Sequence, residues 1–188
     1  MIARFFRRGN ARRSVIEALH LRVNAASREA ALYEVLAVPD TVEGRFESLV
    51  LHTVLMLRAL DRLPAPAPDV AQDLVDAVFL QLDAALRELG VGDISVPKRM
   101  KKLGAAFYGR AGQYGPALDA RDGPALRAAL ARNVFGRETV GPDAPEAAGL
   151  AAYVQAADDA LARADLDGLL GAGPAFPDPA ASAPGERA

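Results

Sequence analysis

His20 and His52 are the two imidazoles of this 188-residue chain, which contains no cysteine. Disulfides, thiolate metal sites and a cysteine nucleophile are therefore excluded. Two histidines on different predicted helices fall short of a metal or catalytic constellation, which needs several convergent groups. No HExxH, GxSxG or phosphate-cradling glycine loop occurs. The stretch "ELGVGD" lacks the Gly-Lys-Ser/Thr ending that grips phosphate and reads as a helix cap and turn. His52 lies beside the main apolar face of a strongly apolar helix, so it reads as a core histidine with its polar edge hydrogen-bonded inside the bundle. Asp158 and Asp159 read as solvated helix surface. The chain is not expected to be an enzyme, and no metal or cofactor is expected.

The concentrated chemistry is cationic. In "VPKRMKKLGAAFYGR" four basic residues fall within five positions, in a chain whose formal net charge is −2. At ~100° per residue, Met100, Leu103, Phe107 and Tyr114 gather on one side of a helix as a core stripe. Lys98, Arg99, Lys101 and Lys102 gather on the other, and Ala105, Gly109 and Gly112 continue that outer face. Glycine inside a helix costs about 1 kcal/mol relative to alanine, so it needs a reason. Close approach of another helix is one, and that helix is either foreign or this protein's own. The four cations suit RNA or lipid phosphate, an acidic protein face including this chain's own acidic segment at Asp69, Asp73, Asp76 and Asp83, or plain solvent. The isoelectric point near 5.7 argues against a dedicated nucleic-acid binder, and no DNA partner is expected.

Positioning these side chains falls to helices. Ala and Leu dominate, aromatics make up 6% and no strand-like alternation is sustained. The predicted fold is all-α, a single bundle of about six helices spanning 12–170. A basic segment, 1–11, precedes it and a Pro/Ala-rich tail, 171–188, expected to be disordered, follows it. The first helix is expected over Arg12–Leu36, stopping before Pro39. The second begins at Asp40 or Thr41, with Asp40 and Glu43 resembling a capping box, and runs to about Leu63. It is apolar nearly all round, as befits a central helix. After "PAPAP" a third runs from Asp69 to a Gly90 cap, with Leu74, Val75, Val78, Phe79, Leu82, Leu86 and Leu89 on its core face. A fourth follows Ser95 with Pro97 in its first turn, and others cover about Asp122–Phe135 and Pro145–Leu170. The most apolar run carries His52 and Arg58 and is shorter than the ~20 residues a membrane span needs. At the N-terminus Ile2, Phe5 and Phe6 alternate with Arg4, Arg7 and Arg8, a short amphipathic turn suited to weak contact with an anionic membrane.

Taken together, "LYEVLAVPDTVEGRFESLVLH", "ELGVGDISVPKRMKKLGAAFYGR", "ALRAALARNVF" and "LAAYVQAADDAL" resemble the ubiquinol–cytochrome c chaperone family, over about Ala31 to Phe176. Pro39, Asp40, Thr41, Leu51 and His52 match its first block; Lys98, Phe107 and Tyr108 match its second. The resemblance implies an all-helical, non-enzymatic assembly factor for respiratory complex III. Mitochondrial relatives work with a small partner protein, bind near the ribosomal exit tunnel and hold newly made cytochrome b. This chain lacks their membrane-targeting portion and looks like a compact bacterial version. Its expected place is the cytoplasm, peripheral on the inner membrane. The face Lys98, Arg99, Lys101, Lys102, Ala105, Tyr108, Gly109 and Gly112 is the expected docking surface for the client or for the ribosome–membrane junction. Pro39, Asp40, Thr41, Leu51, His52 and Phe107 are expected to be structural. The rival reading is a general ribosome- or RNA-associated helical protein.

Overall fold

A run of side chains that is apolar on every side has to be surrounded, and Val42–Asp61 (α3) is. From Leu49 to Met56 every residue of α3 is buried, including Leu51 and Leu55 on the face away from the main stripe. Around it stand Gly9–Ala26 (α1), Ala67–Glu88 (α4), Val96–Asp119 (α5) and Pro145–Leu161 (α7). Ala30–Glu34 (α2), Gly123–Leu130 (α6) and Leu166–Leu170 (α8) complete the bundle. The computed structural model describes residues 9–136, 139–171 and 176–183, with side chains from Arg12 onward, and no strand occurs among them. The fold is all-α. Ile2, Phe5 and Phe6 lie outside the described residues.

Local chemistry explains where the helices break. The expected first helix is two, because the chain turns at Ser27: its hydroxyl donates to Asn24 O (2.8 Å), while the Tyr33 and Ser48 hydroxyls donate to Ser27 O (2.8 and 2.7 Å). Side chains of this kind offer the backbone an alternative to the helical ladder. α3 is capped by Thr41, whose Oγ1 accepts from Gly44 N at 3.0 Å, in place of the expected Asp40. Asp40 instead accepts from Arg45 Nε at 2.6 Å. A Cβ on Gly44 would lie 1.9 Å from Pro39 O, so this entry admits glycine alone. The expected sixth helix also divides: α7 stops at Leu161, and Asp165 caps α8 by accepting from Gly168 N at 2.8 Å. Between α6 and Gly136 the helix widens into a π turn, Ala131–Gly136.

Two surface readings change. Leu89, placed on the core face by periodicity, is 64% exposed, because α4 ends there and Gly90 takes a positive φ of 78°. Part of the segment expected to be disordered packs on the bundle: Pro179–Ser182 forms a 3-10 turn against α2 and α7, Pro179 is buried, and Phe176 lies on the core.

Candidate functional site

His52 is fully buried at the middle of α3. One ring nitrogen, Nδ1, lies 2.7 Å from Ser48 O, and the other, Nε2, lies 2.7 Å from the Tyr153 hydroxyl. A carbonyl only accepts, so Nδ1 carries the proton and Nε2 accepts from Tyr153. Burial pushes the imidazole down to about 4, with the Ser48 carbonyl opposing, so it is neutral at pH 7. The same burial raises the Tyr153 phenol. Phe176 covers the pair, its ring 5.0 Å from the imidazole. A depression of about 440 Å3 opens beside them, edged by Glu29, Tyr153, Phe176 and Asp178. With both nitrogens committed, His52 serves as an internal clamp between α3 and α7. His20 is buried at the α1–α4 contact, and its pKa is likewise lowered by burial, against Gln81 and Glu17.

Asp158 corrects the sequence reading. It is 4% exposed, not solvated: Arg58 Nε donates to its Oδ1 at 3.0 Å and Arg62 Nη2 to its Oδ2 at 2.8 Å. Burial pushes the carboxyl up, but the two guanidinium groups outweigh it and hold the pKa below the ordinary value. Arg58 also donates to Asp119 Oδ1 (2.8 Å) and Gly115 O (3.2 Å), tying α3 to α5 and α7. A second pair missed in the sequence is Arg110–Glu47, a two-pronged contact at 3.0 and 2.7 Å that fastens α5 to α3. No group of three or more His, Cys, Asp or Glu side chains among the described residues could hold a metal ion.

These fastenings fix which side of α5 faces out. Phe107 and Tyr114 are buried, Met100 and Leu103 are partly so, and Phe79 meets the Phe107 ring edge-on at 5.5 Å. Lys98, Arg99, Lys101, Lys102 and Ala105 are exposed. Tyr108 is 64% exposed, its ring set edge-on to Phe107. Cβ atoms at Gly109 and Gly112 would meet no described residue within 4 Å, so no helix among the described residues explains those glycines. Gly104 differs, since its Cβ would touch Phe79 at 3.6 Å. The four cations make no ion pair with another described residue. The acidic face of α4 is otherwise engaged: Arg12 binds Asp73, Gln72 donates to Asp76 (2.9 Å) and Arg87 donates to Asp83 (2.7 Å). The result is an exposed cationic patch running onto an open strip of small residues with a tyrosine at its edge.

The positions matching the first sequence block sit apart from this face. Leu51 and His52 are core, and Pro39, Asp40 and Thr41 shape the entry to α3. No helix of the described residues is long and apolar enough to cross a membrane.

Residues 34–176 match the family model described as ubiquinol–cytochrome C chaperone. Among solved structures, the chain is similar to the crystal structure of the Cbp3 homolog from Brucella abortus. Identity is 39%, the TM-score is 0.80, and the match covers 95% of this chain and 98% of that one. No curated protein matches.

Proposed function

The chain belongs to the ubiquinol–cytochrome c chaperone family, and from that premise we propose that it acts without catalysis in complex III assembly, holding newly made cytochrome b against the outer face of α5. The observation that carries this reading is the state of that face. Four exposed cations lack an ion-pair partner among the described residues, and beyond them Ala105, Gly109 and Gly112 leave an open strip. Small residues let another helix approach closely, which is how membrane-spanning helices pack on each other. A client whose own helices are still unassembled presents such surfaces. Tyr108 supplies a rigid apolar body with a polar tip, a common anchor in protein contacts. His52 takes a structural part in this reading, both its ring nitrogens being hydrogen-bonded in the core.

The test fills the strip. Leucine at Gly109 and Gly112 would meet no neighbouring atom of the described residues at its Cβ, so the bundle tolerates it. Cells relying on the Gly109→Leu, Gly112→Leu double variant are expected to contain normal amounts of this protein but less complex III. Unchanged complex III would contradict the assignment of the client to this face.

A further inference from the structure

At the junction of α4 and α5 the surface has a second, different character. α4 ends at Leu89, the chain turns through 90–95, and α5 begins. On that turn Ile94 is 97% exposed, and Leu89 is 64% exposed. An isoleucine almost wholly in water returns nothing to the stability of the fold. Within two helical turns stand Lys98, Arg99, Lys101 and Lys102, all exposed. The nearby carboxylates Asp83 and Asp93 share the single positive charge of Arg87, so that with Glu88 these groups carry a net charge of −2 against the four cations.

We propose that this corner is a lipid-docking site, with Lys98, Arg99, Lys101 and Lys102 on the phosphates of an anionic bilayer and Ile94 and Leu89 entering the interface. Charge complementarity argues for the anionic partner, since clusters of four to eight Lys/Arg beside a bilayer are a recurrent headgroup-binding pattern. The apolar residues argue for lipid. Ile94 stands out from a turn whose neighbours Gly92, Asp93 and Ser95 are also exposed, so it projects into solvent. A fluid interface admits such a projection, whereas a protein partner needs a complementary surface of about 1,200 Å2 or more. Three of the four cations are lysines, flexible point charges that suit mobile headgroups better than the fixed two-pronged geometry of arginine. Along α5, Gly109 is seven residues beyond Lys102, about 10 Å at 1.5 Å per residue. A protein docked by this corner holds the strip close to the headgroups. That benefit rests on the chaperone reading; the lipid contact itself does not.

The chain contains no tryptophan, so Ile94→Trp introduces a single indole reporter. Its fluorescence is followed as the full chain is titrated with phosphatidylcholine vesicles, the same vesicles carrying phosphatidylglycerol, and soluble polyglutamate. The expected result is a blue shift with the anionic vesicles alone. Adding Lys98→Gln, Lys101→Gln and Lys102→Gln should weaken vesicle binding roughly a hundredfold, at about fivefold per charge. Co-sedimentation of the unsubstituted chain with the same vesicles checks that the indole did not create the binding. An unshifted spectrum with no sedimentation, or an equal response to neutral vesicles, overturns the proposal. An equal shift with polyglutamate also overturns it, in favour of an acidic protein partner. No client is present in this assay, so its failure leaves the client assignment standing, and the reverse holds for complex III levels.

Discussion

A histidine held neutral in a core contributes a pH dependence that can be worked out from its surroundings. His52 titrates near 4 in the folded protein and near 6.5 when unfolded. Below the unfolded value the unfolded chain takes up a proton that the native core refuses, so its contribution is complete above about 6.5 and lost as pH falls towards 4. The loss is at most about 3 kcal/mol. Chemical unfolding across this window should show the decline in the natural protein and a shallower one in His52→Gln, where His20 still contributes. Asp158 acts in the opposite direction of charge: its depressed pKa stabilises the fold above the ordinary carboxylate range and fades only in stronger acid. Asp158→Ala leaves Arg58 with Asp119 and Arg62 without its partner, and should destabilise by about 3 kcal/mol, measured as a shift in the denaturant midpoint. Neither fact about Asp158 was legible in the sequence. Adjacent carboxylates on a helix look like solvent-facing residues, and the arginine that buries one of them lies 100 positions earlier. His52 was legible, because an apolar helix has one sensible use for a lone histidine.

At the scale of elements, the glycines separate structural from functional demands. Gly44 has no freedom: an added methyl would meet the Pro39 backbone at 1.9 Å, so Gly44→Ala should lower the melting temperature sharply or prevent folding. Gly109 and Gly112 face open space inside a regular helix. Alanine there should stabilise the protein by about 1 kcal/mol per site, read as a higher melting temperature. A fold that forgoes this stability at two neighbouring positions is consistent with another chain coming close. The helical spacing of α5 made its core and outer stripes readable from the sequence, as did the apolar surplus of α3. The break after Ala26 and the end of α7 at Leu161 were not, since they depend on side-chain hydrogen bonds of Ser27 and Asp165 that compete with a strong helical pattern. The packed Phe176–Ser182 stretch escaped for a related reason: its composition is that of a flexible tail, and its one aromatic packs on a histidine 124 positions earlier.

For the whole molecule, α3 acts as the frame to which α5 and α7 are fastened, by His52–Tyr153, Arg58–Asp158 and Glu47–Arg110. Of these, Glu47–Arg110, together with Arg58 reaching Asp119 and Gly115, holds α5 so that its cations and small-residue strip face outward. The polar groups of the core thus orient the bundle, and the surface they orient is where the client is proposed to sit. The most direct measurement is photo-crosslinking from that surface. A photoreactive residue replacing Ala105, illuminated in membranes that are assembling complex III, is predicted to capture cytochrome b. Capture from an exposed control position outside α5, such as Arg163 after the end of α7, should not occur. Cytochrome b recovered equally from both positions, or ribosomal components recovered in its place at Ala105, would contradict the account.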